Sequence, residues 1–495
     1  MNLLARPTTD EWELFALLFA SITVFIAAAE LLRRAFRGSP EITRKSVHIL
    51  TGVLIYFAPQ LFTSGVPAIL LALIFIAVNY TAIRLGLLKG MHGTNRVSYG
   101  TVYYPVSFLI LVLVFWDAAP FVISLSILIL ALGDAAAAIV GENLRSPHEY
   151  RLTSDKKSYE GSLAMFVTTT AVTVFGLRAF GPELSWNHAA QVAFAVGLFA
   201  TAWEAISSKG FDNLTIPLGA SLMIYYFFMP DPAHDLQRMF HGTVLGAGIS
   251  LLSLRLRFLS PSGSIATFLL AATIYGLGGW RWTVPILVFF VASSLLSKYE
   301  KSRKRKYDTV FEKTDKRDEG QVAANGGVAG LLLVASYAFP GTEELYLLYI
   351  AAIAAATADT WGTEIGILGK GRPVSIVSFR RVEPGTSGGV SFIGLLGGTA
   401  GAALIALTAA VMDPAAVPFR TGMLLAVAGM AGALTDSLLG ATLQAQYRTR
   451  EGKLTERTVS DGVPNELAKG IRWFDNDIVN WACAAAGPLA LWLML

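Results

Sequence analysis

The sequence predicts an all-α, polytopic membrane protein with 13–16 transmembrane helices in two halves, for which a duplication is one hypothesis. Apolar residues make up 54% of the 495 residues, charged residues only 15%, and the mean hydropathy is +0.54. A typical soluble domain contains about 25% charged residues. Apolar runs that approach the roughly 20 residues of a perpendicular membrane helix recur from end to end.

The apolar runs fall into two sets along the chain. Acidic residues precede the first run, and Arg33 and Arg34 follow it, which favours a first transmembrane helix over a cleaved signal peptide. Runs shorter than a full span are tolerated where a helix breaks or re-enters beside a polar cavity. The first set comprises residues 13–32, 46–63, 66–83, 102–116, 119–140, 161–180, 189–207 and 214–229. The second set comprises residues 239–254, 264–279, 282–297, 325–340, 345–367, 389–411, 418–443 and 478–495.

Basic residues are distributed unevenly between the two sides of this threading. Alternate loops hold 34 of the 39 lysine and arginine residues. Because cytoplasmic loops are enriched in lysine and arginine, we expect these loops in the cytoplasm and both termini outside. The single cysteine, Cys483, excludes an intrachain disulfide framework and a cysteine-based zinc site.

Polar residues in and beside the spans cluster toward the basic side. An acid inside an apolar span costs a few kcal/mol unless it is paired or solvated, so Asp134, Asp359 and Asp436 are functional candidates. The polar strings of the first half are residues 44–48, 141–143, 156–162, 203–204 and 212–217. Those of the second half are residues 318–321, 325–327, 359–364, 380–381, 383–389 and 473–480.

Carboxylates beside glycine-rich turns and pairs of basic residues suit a phosphorylated ligand with a divalent ion. Mg²⁺ prefers oxygen ligands and bridges one or two carboxylates to substrate phosphates. Consecutive backbone N–H groups at a helix start, as at residues 385–389, can bind an anion. The sequence contains neither G-x-x-x-x-G-K-[ST] nor G-x-G-x-x-G, so a P-loop or Rossmann site is not expected.

Each of these patterns also has a purely structural interpretation. The basic pairs at 156–157 and 380–381 can act as topology determinants, and His48 can be an interface residue. The glycine pair at 388–389 can permit close helix packing. The basic run at 298–306 suits a solvated loop that faces anionic lipid head groups.

The spacing of the acids suggests an internal duplication. Asp134 and Asp359 each lie in the fifth span of an eight-span half. Asp212 follows Asp134 by 78 residues, and Asp436 follows Asp359 by 77. We therefore consider two diverged, parallel copies of one unit, with a fusion of unrelated halves and a coincidental spacing as the alternative.

The first half resembles the phytol kinase and dolichol kinase family of CTP-dependent polyprenol kinases. The resemblance rests on residues 44–48, on Gly133-Asp134 with Gly141, and on the more specific strings 157–162 and 212–217. The second half resembles the DUF92-type membrane family that includes phytyl-phosphate kinase. Its matching strings are residues 321–327, 358–361 with Glu364, 384–391, 436–444 and 475–477, of which Pro-Gly-Thr-Ser-Gly-Gly-Val-Ser is very specific.

The two resemblances imply a fusion that carries out consecutive phosphoryl transfers. Residues 1–236 would form a prenyl alcohol kinase domain, and residues 237–495 a prenyl-phosphate kinase domain. An alcohol of the phytol, geranylgeraniol or farnesol type would become a monophosphate and then a diphosphate in a salvage route. CTP or another nucleoside triphosphate would be the donor, with Mg²⁺ as cofactor. We expect the lipid bilayer, the lipid substrate and the nucleotide as partners, and no nucleic acid.

Two other classes of function stay open. A cytidylyltransferase that forms a CDP-lipid would use the same ingredients but release diphosphate. A secondary transporter also combines repeats with membrane-embedded acids. Its acids should cluster near the middle of the bilayer, whereas most polar strings here lie toward one side.

The resemblances imply the following site residues. The candidate catalytic residues are Asp134, Lys157, Glu160, Asp212, Asp359, Glu364, Arg380 and Asp436. The candidate substrate- and nucleotide-binding residues are Lys45, His48, Gly161, Ser162, Glu204, Asn213, Asn325, Arg381, Thr386, Ser387, Gly388, Gly389, Asn476 and Asn480. The candidate metal ligands are Asp134, Asp212, Asp359, Glu364, Asp436 and Asp477.

Overall fold

The chain divides into two units in the computed structural model, Met1–Leu236 and Gln237–Leu495. The structure describes residues 2–36, 40–86, 98–228, 236–299, 316–339, 341–369, 371–452, 454–460 and 462–495. Most of the basic run predicted to face lipid head groups, 298–306, lies outside these residues.

The first unit is built around one deeply buried helix, α6. Its helices are α1 (Thr9–Phe36), α2 (Pro40–Tyr56), the short α3 (Ala58–Leu61), α4 (Val66–Leu85), α5 (Gly100–Phe115), α6 (Pro120–Asn143), α7 (Tyr159–Phe180), α8 (Trp186–Ile206) and α9 (Asp212–Phe228). In α6, 72% of the most apolar stretch is buried, the largest share among the candidate spans of the described chain. α6 packs against α2, α7 and α9.

The second unit is built around α13 in the same way. Its helices are α10 (Leu236–Arg255), α11 (Pro261–Lys298), α12 (Glu319–Ala338), α13 (Glu344–Leu368), α14 (Phe392–Met412), α15 (Phe419–Thr442) and α16 (Asn476–Met494). In α13, 61% of the most apolar stretch is buried, and the helix packs against α12, α14, α15 and α16. Small side chains on α13, such as those of residues 351–352 and 354–356, allow its neighbours to approach closely.

Eleven helices in the described residues are long and apolar enough to cross a membrane, which confirms the all-α, polytopic class. The sequence predicted 13–16 spans, which is more than eleven, partly because α11 was counted as two spans. The two parts of α11 are joined through a kink at Gly279, which has a φ of 62°. In addition, α2, α5 and α9 have only 17, 16 and 17 residues. α10 does not reach the same hydropathy because Arg238, His241 and Arg255 interrupt it.

Several helices begin at residues that satisfy the free N–H groups of the first turn. The Ser158 side chain accepts a hydrogen bond from the N–H of Gly161 at the start of α7. Asp318 and Gln321 form a capping box at the start of α12. Asp475 caps α16. These caps fix where the chain enters the helices that carry the polar strings.

Short antiparallel strands lie in the loops between the helices. β1 (Glu149–Tyr150) pairs with β2 (Lys157–Ser158), which leads directly into α7. In the second unit the strands are β3 (Val374–Ser375), β4 (Gly389–Val390), β5 (Gln446–Arg448), β6 (Leu454–Thr455), β7 (Val459–Ser460), β8 (Val463–Pro464) and β9 (Glu466–Lys469). β3 pairs with β4, β5 with both β6 and β9, and β7 with β8. The β1–β2 hairpin holds Lys157 at the start of α7. The β3–β4 hairpin holds the glycine-rich turn before α14.

One π-turn, Leu130–Asp134, interrupts α6. Such turns insert an extra residue into a helix and are frequent at functional sites. Seven of the ten residues of α6 before the turn are buried, namely residues 122–127 and Ile129. Asp134, at the end of the turn, is only 8% exposed. The turn therefore places a carboxylate at the junction between the packed part of α6 and the part that follows.

Gly432 on α15 provides a test of the packing in the second unit. A Cβ atom at this position would lie 2.4 Å from the Cβ of Ala355 on α13 and 2.8 Å from the backbone oxygen of Cys483 on α16. We expect Gly432→Ala to reduce the free energy of unfolding by about 1–3 kcal/mol, because three packed helices must separate. Thermal unfolding in detergent measures the effect.

Gly248→Ala on α10 is the matched control, because nothing lies within 4 Å of a Cβ atom there. It should leave stability unchanged or raise it, since alanine is the better helix former. Equal losses in both variants would contradict the packing described for α13, α15 and α16.

Candidate active sites

A cavity of about 740 Å³ lies within the first unit and is polar at one end and apolar at the other. Binding cavities for small molecules commonly fall between about 300 and 1,000 Å³. Its apolar wall comes from α1, α2, α4 and α5. The apolar residues include Ile22, Ile26, Ile55, Leu71, Phe75 and Phe108.

The polar end of the cavity contains a buried ion pair between α2 and α6. Nζ of Lys45 lies 2.5 Å from Oδ2 of Asp134, and both side chains are 11% exposed. Nε2 of His48 lies 3.7 Å from the same carboxylate oxygen and 3.4 Å from the backbone oxygen of Leu130. Lys45, His48 and Asp134 were each predicted from the sequence as site residues, and the structure brings them together at the π-turn.

A second buried cation lies at the start of α7. Nζ of Lys157 is 2.6 Å from Oε1 of Glu204 and 3.8 Å from Oδ2 of Asp212. Burial alone would lower the pKa of Lys157, but the charges of Glu204 and Asp212 hold that pKa above its usual value. Lys157 therefore stays charged at neutral pH. Oε2 of Glu204 is buried and has no hydrogen-bond partner among the described residues.

The turn before α9 is fixed by its own side chains. Oδ1 of Asp212 accepts hydrogen bonds from the backbone N–H and the side-chain Nδ2 of Asn213. Nδ2 of Asn213 also donates to the backbone oxygen of Gly210, which has a φ of 85°. Asp212 and Asn213 both line the cavity, as their predicted roles require.

Two residues at the start of α7 differ from their expected roles. The N–H of Gly161, expected to bind phosphate, donates to the Ser158 side chain instead. Glu160, expected to be catalytic, is not among the residues that line the cavity, and its carboxylate lies 2.6 Å from Nδ1 of His148. Ser162 does line the cavity, with its hydroxyl 2.7 Å from that of Tyr150.

The second unit contains a smaller cavity of about 270 Å³ with a different charge pattern. Four carboxylates line it, those of Asp359, Glu364, Asp436 and Glu456. The described residues that line it include no lysine, arginine or histidine. A phosphate group entering this cavity would therefore meet negative charge on the walls unless a cation accompanied it.

Two of these carboxyl groups contact each other. The carboxyl groups of Asp359 on α13 and Asp436 on α15 lie close enough to interact. Oδ2 of Asp436 is buried and has no hydrogen-bond partner within the described ranges. Two buried carboxylates that interact directly are stabilised by a proton or a cation between them. The pair fits Mg²⁺, which commonly uses one or two carboxylates together with substrate phosphates.

The first unit offers a metal ion a less open site. Asp134 and Asp212 both lie beside lysines, so their charges are already compensated. Within the described parts of both units, no three histidine, cysteine, aspartate or glutamate side chains are grouped closely enough to hold a metal ion, so an ion at either cavity would need further ligands from substrate phosphates or water. Metal ligation by Asp134 and Asp212 stays a prediction.

The glycine-rich turn of the second unit packs closely against α15. Gly388 has a φ of 80°, and a Cβ atom there would lie 2.4 Å from the Cβ of Ala441. Only glycine satisfies both conditions without strain. The turn then lines the cavity with four predicted residues, which are Thr386, Ser387, Gly388 and Gly389.

Glu456, which was not predicted from the sequence, organises this end of the cavity. Its Oε1 accepts hydrogen bonds from the Ser387 hydroxyl and from Nε2 of Gln444, each at 2.9 Å. Nε2 of Gln444 also donates to Oδ1 of Asn476, which lines the cavity together with Asn480. Glu456 follows β6 in a polar loop where no motif distinguishes it from other acids.

Several predicted residues of the second site lie elsewhere. Arg380 and Arg381, expected to hold triphosphate, are exposed in the loop between β3 and β4 and are not among the lining residues. Asn325 lines a separate cavity of about 70 Å³ and donates to the backbone oxygen of Gln321. Asp477, in the first turn of α16, is also not among the lining residues.

Glu364 lines the cavity, but another side chain already contacts it. Its Oε1 accepts a hydrogen bond of 2.5 Å from the hydroxyl of Ser297 at the end of α11. Metal ligation by Glu364 would have to share this contact, so it stays a prediction.

Comparisons with known proteins identify relatives of the chain. Residues 244–488 match the family described as integral membrane protein DUF92. Protein PGR of Arabidopsis thaliana is 32% identical over 269 residues, which cover 49% of this chain and 91% of that protein. The phytol kinase of Synechocystis sp. is 32% identical over 216 residues, which cover 43% of this chain and 91% of that protein. A probable chloroplastic phytol kinase of Triticum aestivum is 30% identical over 233 residues, which cover 41% of this chain and 75% of that protein. No solved structure matches.

The pair of Lys45 and Asp134 gives a prediction about stability. Lys45→Met leaves Asp134 buried without its cation, so we expect a loss of about 3–5 kcal/mol in the free energy of unfolding. Adding Asp134→Asn should recover most of the loss, because the unpaired charge is then removed. Chemical unfolding in detergent micelles measures both variants.

Lys156→Met is the control for this pair. Lys156 lies 2.9 Å from Glu149, and both side chains are more than half exposed, so the loss should be below about 1 kcal/mol. If Lys45→Met lowered the free energy of unfolding no more than Lys156→Met does, the buried ion pair between Lys45 and Asp134 would be contradicted.

Proposed function

The chain belongs to the family that includes the phytol kinase of Synechocystis, and on that premise we propose that it is a membrane-bound kinase of isoprenoid alcohols. The observation that carries the proposal is the two-ended cavity of the first unit. Its charged end suits a phosphoryl donor, and its apolar wall suits a prenyl chain. The chain of the alcohol would lie against Ile22, Ile55 and Phe108, with its hydroxyl toward Asp134.

The residues of the first unit supply the parts that phosphoryl transfer needs. Such reactions depend mainly on positioning and on stabilising negative charge. Lys45 and Lys157 are buried cations that would hold the phosphates of CTP or of another nucleoside triphosphate, which would arrive with Mg²⁺. The bond between the γ-phosphorus and the leaving nucleoside diphosphate breaks, and a bond to the alcohol oxygen forms.

Glu204 is the residue we assign to the alcohol proton. Its Oε2 lacks a partner in the described structure, and the residue lines the cavity. His48 is the alternative, but its Nε2 already faces the backbone oxygen of Leu130. Because the transition state of phosphoryl transfer is loose, the proton acceptor adds less to the rate than the lysines do.

We further propose that the second unit phosphorylates the monophosphate to the diphosphate. The resemblance of residues 384–391 to the phytyl-phosphate kinase family supports this role. Asp359 and Asp436 would hold Mg²⁺, which supplies the positive charge that the walls of the cavity lack. Ser387, Gln444 and Asn476 would orient oxygens of the two phosphorylated substrates. The two steps together would convert a free alcohol into a prenyl donor.

Product analysis tests the two proposed reactions. Purified full-length protein is given phytol, geranylgeraniol or farnesol with γ-labelled CTP and Mg²⁺. We expect Asp134→Asn to lose the use of alcohol but to convert supplied monophosphate, because only the first site is changed. Asp359→Asn should accumulate monophosphate. Both losses should exceed a hundredfold, as expected when a positioned charge is removed from a catalytic site.

Glu183→Gln is the control, because Glu183 is exposed and lies outside both cavities. Loss of both steps in both variants would refute two separate sites. Transfer of the cytidylyl group instead of the labelled phosphate would show a cytidylyltransferase.

The carboxyl pair of the second unit gives a prediction about metal binding. Millimolar Mg²⁺ without nucleotide should raise the thermal midpoint of the wild type by a few degrees, because an ion that binds only the folded state stabilises it. Asp436→Asn should lose this shift, whereas Glu183→Gln should keep it. An equal shift in all three proteins would show that the ion binds elsewhere.

A further inference from the structure

Three residues that line the cavity of the first unit carry buried hydroxyl groups with no hydrogen-bond partner among the described residues. They belong to Thr51 on α2 and to Thr101 and Tyr104 on α5. Tyr104 is 7% exposed, and its hydroxyl is fully buried. Buried polar groups in native proteins are nearly always paired, so three together in one cavity indicate a ligand that pairs with them.

Thr51 differs from most helical threonines of this chain. Thr173 donates its hydroxyl to the backbone oxygen of Thr169, and Thr357 donates to that of Ile353. In each case the acceptor lies four residues earlier, which is the usual partner of a threonine inside a helix. The Thr51 hydroxyl makes no such bond to Val47. Its hydroxyl therefore keeps its hydrogen-bonding capacity for another partner.

The hydroxyls occupy a defined level between the charged end and the apolar end. Along one face of α2, the lining residues are Lys45, His48, Thr51 and Ile55 in order, a distance of about 15 Å at the helical rise of 1.5 Å per residue. Charge gives way to an imidazole, then to a hydroxyl, then to a hydrocarbon side chain.

On α5, two residues with hydroxyl groups likewise precede an apolar residue in the cavity lining. Thr101 and Tyr104 lie one turn apart, and Phe108 follows one turn later. The Tyr104 ring packs edge-on against His48, with 4.7 Å between the ring centroids. The ring of Tyr104 on α5 thus lies beside His48 on α2, one helical turn before Thr51.

We propose that Thr51, Thr101 and Tyr104 form a binding site for the hydroxyl end of the prenyl alcohol, an inference that rests on the proposed kinase function. A neutral hydroxyl both donates and accepts hydrogen bonds, as an alcohol does. The phosphates of the nucleotide would instead bind the lysines at the charged end of the cavity. The site recognises the substrate oxygen and leaves the prenyl chain to the apolar wall below.

This arrangement predicts discrimination by the hydroxyl group rather than by the chain. A site built to pair with a substrate hydroxyl rejects an analogue that lacks it, because its own polar groups would be left unpaired. Phytol should therefore bind, whereas phytane, the corresponding hydrocarbon, should not compete with it.

Equilibrium binding without nucleotide tests the proposal. Tritiated phytol is bound to purified full-length protein in detergent micelles, and Kd is measured for the wild type, Tyr104→Phe and Thr51→Val. We expect each variant to weaken binding about tenfold, because a hydrogen bond to the substrate oxygen is lost. In turnover assays, KM for phytol should rise by a similar factor while KM for CTP stays within twofold.

Thr170→Val is the matched control. The Thr170 hydroxyl is also buried without a partner among the described residues, but it does not line the cavity, so this variant should bind phytol like the wild type. Unchanged Kd in Tyr104→Phe and Thr51→Val, effective competition by phytane, or a larger rise in KM for CTP than for phytol would each overturn the proposal.

The two assays separate this inference from the proposed function. Wild-type protein that binds phytol through these hydroxyls but transfers no phosphate to it would refute the kinase and leave the binding site standing. Wild-type protein that does not bind phytol would overturn the binding site directly.

Discussion

Carboxylates inside apolar helices must be compensated, and this requirement governs how both units are built. In the first unit, Asp134 and Glu204 each contact a lysine from a neighbouring element. In the second unit, Asp359 contacts Asp436, another carboxyl group. An uncompensated charge would be too costly in this surrounding, so the helices that carry these side chains must pack where the partner is available.

The different compensation bears on the hypothesis of a duplication. Asp134 and Asp212 are separated along the chain by nearly the same number of residues as Asp359 and Asp436. The side chains around the two sets of acids differ. Four lysines, Arg44 and His48 line the first cavity, whereas the described lining of the second cavity contains no basic side chain. If the halves arose from one ancestor, they kept the positions of the acids and changed what neutralises them. The first site then carries its own positive charge, and the second must obtain it from an ion.

The sequence was sufficient to predict the helical class and several of the charged residues that line the first cavity. Hydropathy located the spans because each long apolar run is continuous, and Lys45, Asp134, Lys157 and Asp212 stood out as charges beside such runs. Which charges pair with each other could not be predicted, because pairing depends on helix packing.

Loop residues were predicted less well. Arg380 and Arg381 carry the right charge but are exposed on a hairpin and do not line the cavity, whereas Glu456 lines it from a loop that shows no periodicity. Spacing fixes the face of a helix but not the path of a loop.

The π-turn in α6 has a consequence for how this helix can vary. An α-helix advances about 100° per residue, so one inserted residue shifts the phase of every later side chain by that angle. The stretch before Leu130 can keep the periodicity that packing demands, while the stretch after Asp134 follows a periodicity of its own. Substitutions on either side are thereby uncoupled, but a change in the number of residues between the two stretches would rotate one against the other. Length, more than identity, is what this segment must conserve.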